Sequence, residues 1–125
     1  MGEIKRIRVN VNDVPKNPCE SSAEKMFDQH VLRIKDGEFS PIGPSERLSI
    51  ILQNYEVGGK HKLHKHDDVE QVYFILKGRA RIRVGDEVFE AREGDFIYIP
   101  RGVVHSNENI GGGELKVLLI SVKVV

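Results

Sequence analysis

Three histidines, His61, His64 and His66, fall inside the stretch HKLHKHDDVEQVYFILKG, residues 61–78. Neutral imidazole is a ligand for zinc, iron, nickel, copper and manganese, so such a cluster points to metal chemistry without naming the ion. Residues two apart in a strand share a face. His64 and His66 therefore point the same way and can chelate one ion. His61 has the opposite parity and is expected to face away unless the chain bends after Gly58-Gly59. A carboxylate is the usual companion of such a pair, and here Glu70 and Gln71 stand side by side. Face parity does not choose between them. Gln71 turned inward brings Tyr73 and Ile75 with it; Glu70 turned inward brings Val72, Phe74 and Leu76.

The elements that must position these residues are strands. Helical periodicity is nearly absent, and short apolar runs alternate with glycine, proline and acid-glycine turns. IKRIRV (4–9) has the pattern of a strand with one exposed face. Residues 10–29 are polar and turn-rich, with SSAEKMF offering a helical turn capped by Ser21 or Ser22. HVLRIKDGEF (30–39) is expected to be a strand ending in an Asp-Gly turn, and PIGP (41–44) a loop. RLSIILQNYEV (47–57) is a long strand, apolar on both faces in its middle and so expected to be covered on both. HKLHKH, QVYFILK, ARIRV, EVFEA, FIYIP, VVHSN and ELKVLLISVKV follow, separated by Gly78, Gly85-Asp86, Glu93-Gly94-Asp95, Pro100-Arg101-Gly102 and Gly111-Gly112-Gly113. About ten short strands with turns every 8–12 residues or so describe an all-β sandwich or barrel.

Two longer patterns frame the histidines. Residues 58–78 read Gly58, five residues, His64-x-His66, four residues, Gln71, six residues, Gly78. Residues 94–109 read Gly94, five residues, Pro100-x-Gly102, two residues, His105, three residues, Asn109. These resemble the two signature motifs of the cupin superfamily. The second is matched at each defined position; the first departs only where glutamate is usual. The 15 residues from Arg79 to Glu93 resemble the shortest inter-motif spacing of small microbial cupins. The resemblance implies an all-β cupin jelly-roll (double-stranded β-helix) barrel with an N-terminal strand and turn-rich arm. It implies a single cupin domain over 1–125, with the arm at 1–29, the barrel core at 47–121, motif 1 at 58–78 and motif 2 at 94–109.

The resemblance also implies one divalent transition metal ion (Fe, Mn, Ni, Zn or Cu) held by His64, His66, His105 and a residue at the glutamate position. Counting forward from His66 allows Glu70 or Gln71; counting back from Gly78 selects Gln71. The second nitrogen of each ring would need a partner, Asn109 or a backbone carbonyl. A glutamine ligand is a neutral carbonyl oxygen, so the charge of the ion stays uncompensated and favours an incoming carboxylate or enolate. Tyr73 and Gln53 are candidate pocket-lining residues. No catalytic acid or base is singled out beyond the metal shell.

Two functions follow from the resemblance. One is a metal-dependent enzyme, a dioxygenase or a sugar-acid isomerase, acting on a small anionic organic molecule. The other is a non-catalytic module that binds or senses a small ligand. Three histidines with one glutamine are similar to the site of cupins that open the ring of unsaturated uronates. Those place an acid and an arginine on the last strands, where ELKVLLISVKVV offers Glu114, Lys116 and Lys123, so the uronate is not named as substrate.

Lysine plus arginine equals aspartate plus glutamate at 19 each, which gives no global field for nucleic acid or an anionic membrane. Arg79, Arg81 and Arg83 are expected on the wet side of a half-exposed strand, Phe96 and Tyr98 in the core, His30 in a structural role and Gly111-Gly112-Gly113 in a hairpin turn. One cysteine, Cys19, permits no intrachain disulfide. With no signal-like or membrane-length apolar run, this points to the cytoplasm. A homodimer is expected, with IKRIRV adding to a neighbour's sheet edge and the outer faces of RLSIILQNY and VLLISVKVV covered by the partner.

Overall fold

The computed structural model describes residues 8, 10–14, 16–18, 27–31 and 47–124. The expected strand at 4–9 (apart from Arg8), the helical turn before Phe27, the run 32–39 with its Asp-Gly turn, the PIGP loop and Cys19 lie outside the described residues. Within them the chain forms a three-residue 3-10 turn, Val11–Asp13, capped by the Asn10 side chain, and ten strands. These are β1 (Lys16–Pro18), β2 (Phe27–Val31), β3 (Leu48–Tyr55), β4 (Lys60–His64), β5 (Val69–Lys77), β6 (Arg79–Val84), β7 (Glu87–Arg92), β8 (Phe96–Ile99), β9 (His105–Asn109) and β10 (Leu115–Lys123). Among the described residues no helix is long and apolar enough to cross a membrane.

The strands pair antiparallel in two sheets, β1-β2-β3-β10-β5-β8 and β4-β9-β6-β7, which make a jelly-roll barrel. Strict alternation explains the core. β5 buries Gln71, Tyr73 and Ile75; β6 buries Ala80 and Ile82; β8 buries Ile97 and Ile99; β10 buries Leu115, Val117 and Leu119. The alternate residues face outward. Arg79 and Arg81 do so and pair with Glu90 at 3.0 Å and Glu108 at 3.2 Å. β3, held between β2 and β10, is buried on both faces only in its second half, Leu52 to Tyr55; Leu48 is exposed. His30 lies in β2, in register with Leu52.

Two expectations are overturned. Phe96 and Tyr98 are not core residues: they are 73% and 56% exposed. Among the described residues β8 is the edge of the large sheet, and Ile97 and Ile99 take its inward positions. Phe96 instead stacks on Phe74 across the outer face, ring centroids 4.3 Å apart, and the Tyr98 hydroxyl donates to Glu70 at 2.8 Å. The glycine triplet is not a hairpin turn either. It joins β9 of the small sheet to β10 of the large one, so it crosses between layers. The Asn109 amide holds that crossing, donating toward the carbonyls of Tyr55 (3.1 Å), Glu56 (3.1 Å) and Gly113 (2.9 Å) and accepting from the Gly111 amide (3.0 Å).

Gly78, which closes the first motif, has φ +90°, and a Cβ there would lie 2.7 Å from the Glu114 carbonyl oxygen. Only glycine fits both the conformation and the space. Gly78→Ala is expected to cost about 2 kcal/mol or more in urea unfolding. Gly112→Ala, with nothing within 4 Å of its Cβ, should stay within about 0.5 kcal/mol.

Candidate metal centre

His64 ends β4 and His105 begins β9, and the two are register partners across the small sheet. His66 lies just beyond β4, where its carbonyl accepts a hydrogen bond from Gly102 of the second motif at 2.7 Å. That bond ties the two motif loops together. One ligand atom from each of His64, His66 and His105 can lie within 4.8 Å of the others, a group that could hold a metal ion. The ring centroids are 4.2 Å apart for His64 and His105, 5.0 Å for His64 and His66, and 5.5 Å for His66 and His105.

Hydrogen bonds fix the tautomers of two rings. His64 Nδ1 lies 2.6 Å from the Lys62 carbonyl and His105 Nδ1 lies 2.9 Å from the Val103 carbonyl. A carbonyl oxygen only accepts, so the hydrogen sits on Nδ1 and the lone pair is on Nε2. His105 Nε2 is buried without a hydrogen-bond partner among the described residues. Of the two candidate ring partners, the backbone carbonyl serves in both cases. Asn109 is engaged instead at the crossing between sheets.

Gln71 and Glu70 separate cleanly. Gln71 is 6% exposed, whereas Glu70 meets Tyr98 outside. The Gln71 amide nitrogen donates to Ser121 Oγ at 2.9 Å across the β5–β10 pair, which leaves its Oε1 buried and unpartnered among the described residues. A neutral carbonyl oxygen with its dipole held in one direction is the donor a cation site requires.

His61 contradicts its expected orientation. A bulge between His61 and His64 puts three steps on β4 against two on β9, since His61 pairs with Asn107 and His64 with His105. The extra residue reverses the parity. The His61 ring lies against that of His64, centroids 4.1 Å apart, and adds a fourth imidazole to the cluster. Burial, reinforced by its neighbours, lowers the His61 pKa to about 4. Burial likewise lowers His105 to about 4, against the opposing effect of the Val103 hydrogen bond. His66 is lowered by burial and by His64, while Asp68 and Asp67 push it the other way. Burial therefore favours the neutral ring at His61, His66 and His105.

Of the candidate lining residues, Tyr73 is fully buried with its ring 6.2 Å from that of His105, edge-on, and burial raises its phenol pKa. Gln53 is buried on β3 and its Oε1 accepts from the Tyr55 hydroxyl at 2.8 Å. Sequence reasoning turned His61 the wrong way and gave no role to Ser121 or Asn107. Parity from His105 would have found Asn107; no local signal marks Ser121, whose partner lies 50 residues away. A groove of about 400 Å³ crosses the small sheet between Lys62, Arg83 and Glu108; His61 and Asn107 are among its lining residues, and His64, His66 and His105 are not.

The model of the Cupin_2 family, a cupin domain, matches residues 51–121. The chain is 48% identical over 65 residues to an uncharacterized protein of Methanocaldococcus jannaschii; the match covers 52% of this chain and 52% of that protein, about half the length of each. A predicted oxalate decarboxylase from Thermotoga maritima superposes with a TM-score of 0.81 at 18% identity, covering 94% of this chain and 99% of that one. The polyketide cyclase RemF of Streptomyces resistomycificus superposes with a TM-score of 0.76 at 20% identity, covering 92% and 78%. At these identities the structural likeness speaks for the fold alone.

The depressed histidines make acid destabilising. Between about pH 6.5 and 4 the unfolded chain binds more protons at His61 and His105 than the folded one. Their contribution to the stability of metal-free protein is thus complete above pH 6.5 and is lost as pH falls toward 4. Urea midpoints measured in a chelator across that range should fall with pH, and His61→Gln should flatten the slope.

Proposed function

The chain belongs to the cupin family, and on that footing we propose that it binds one divalent transition metal ion through His64, His66, His105 and Gln71 and acts there on a small anionic organic molecule. The observation that carries this reading is the pair of unpartnered buried atoms, His105 Nε2 and Gln71 Oε1, in the same barrel as the three clustered rings. A buried polar atom left unsatisfied costs roughly 1–3 kcal/mol. A cation would satisfy both.

When bound, the ion would supply Lewis acidity toward an anionic oxygen. The residues of the chain do the rest. Four neutral donors leave the charge of the ion available to a carboxylate or enolate. Ser121 keeps the Gln71 oxygen turned away from itself. Tyr73 closes one side with a buried ring that stays protonated. His61 is a neutral imidazole beside His64, able to take a proton at its ring.

A second reading, a binding or sensing module without turnover, has its own support. Among the described residues the buried polar side chains are amides, a serine and a histidine, with no carboxylate or amine to serve as acid or base. A single domain over 1–125, a cytoplasmic location and a homodimer complete the proposal. The outer face of the large sheet supports the last. Rows such as Phe96–Phe74–Leu118–Leu52 and Tyr98–Val72–Ile120–Ile50 run across it in register, and an apolar face of this kind invites a partner.

Protein reconstituted with each candidate metal should hold one ion per chain, and the His64→Ala/His105→Ala variant should hold none; equal metal in both sinks the reading. Ser121→Ala should weaken metal binding about tenfold by releasing the Gln71 amide. Oxygen uptake and product formation against diketones, flavonols, thiols and uronates separate the two functions. Turnover lost in His66→Ala marks an enzyme, and saturable binding without turnover marks a module. Sedimentation at micromolar concentration should give a dimer.

A further inference from the structure

Three polar side chains line the inward face of β9: His105, Asn107 and Asn109, exposed by only 1%, 2% and 2%. The first belongs to the histidine cluster and the third secures the crossing between sheets. Asn107 does neither. Its register partners are His61 on β4 and Ile82 on β6, and Ile82 is fully buried, so Asn107 sits on the barrel's inner wall. Both Oδ1 and Nδ2 are buried and unpartnered, and among the described residues it is the one side chain with both ends of an amide in that condition.

An apolar residue would pack this position without the desolvation cost of an orphaned amide. Functional sites are where folds carry stability costs of this kind. We propose that Asn107 is the specificity-determining residue of the barrel: its amide recognises an uncharged donor–acceptor group, a hydroxyl or a carboxamide, on a small organic acid whose anionic end lies at the histidine cluster. The inference rests on the metal-site reading for the anionic end. An amide presents a donor and an acceptor side by side, and a hydroxyl or carboxamide returns one of each. The group is uncharged because no buried lysine, arginine or carboxylate lies among the described residues to balance a second charge. Asn107 stands two residues from His105, roughly 6.5 Å along the strand. A ligand with about four carbons between its two polar ends spans that distance.

The test has two arms. In metal-free protein, thermal unfolding of Asn107→Leu and Asn107→Val is compared with wild type. At least one should melt roughly 3 °C or more above it, while Asn109→Leu, which loses its bonds at the crossing, should melt below. If both Asn107 variants melt at or below wild type, the amide is structural, held for example by an internal water, and the inference is overturned. In metal-loaded protein, calorimetric titration compares 4-hydroxybutyrate with butyrate. Wild type should prefer the hydroxy acid about tenfold, and Asn107→Leu should lose that preference while retaining its metal content and its affinity for butyrate. No preference in wild type, or one that survives the substitution, also overturns it. Failure of wild type to take up metal would sink the metal reading instead, and the metal-free comparison would still decide the place of Asn107.

Discussion

An imidazole presents a lone pair in a chosen direction only when its other nitrogen is tied down. In this barrel the tie is made twice in the same way. His64 bonds the carbonyl of Lys62 and His105 bonds the carbonyl of Val103, each two residues back along its own chain. Because the two histidines are register partners, these local bonds become a relation between strands. Gln71 is oriented by a different route, through Ser121 across the large sheet. The orientations of these side chains thus depend on both sheets keeping their registers, and the glycine-bearing turns keep them. Gly78 lets β5 return as β6 against the Glu114 backbone, and Gly102 locks the loop that carries His66.

Much of the fold was legible in the sequence because turns and alternation are local properties. The strands from Leu48 onward and the outward arginines of β6 follow from apolar spacing and glycine positions, whereas the choice of Gln71 over Glu70 as the inward residue comes from counting back from Gly78 in the motif that resembles that of the cupins. Strand parity pairs His64 with His66, and the resemblance to the cupin motifs adds His105 to them. The errors share one cause: each assumed that a local pattern continues unbroken or that an apolar residue must face the core. Counting in twos turns His61 outward unless the chain bends after Gly58-Gly59, and the irregularity in β4 lies instead between His61 and His64. Phe96 and Tyr98 were assigned inward by composition, yet in β8 the inward places belong to Ile97 and Ile99. The glycine triplet has the composition of a hairpin, and only the sheet assignment of its flanking strands shows that it changes layers.

The two faces of the large sheet divide the labour. Its inner face supplies Gln71, Tyr73 and the aliphatic core around them, while its outer face carries Phe74, Phe96 and the aliphatic rows of β3 and β10. The small sheet is the reverse. Its outer face is a ladder of ion pairs, Arg79 to Glu90 and Arg81 to Glu108, which are exposed and add little to stability. Its inner face holds the polar stripe of β9.

The bulge in β4 has an effect apart from the ring it turns inward. Among the described residues β4 borders the small sheet, with β9 on one side and no strand of that sheet on the other. A flat border of this kind offers a row of amides and carbonyls on which foreign chains can align, the first step toward fibrils. An inserted residue twists the border and breaks its even spacing. The same irregularity that recruits a histidine thus spoils the border as a template for polymerisation, and a deletion restoring even spacing would remove both effects together.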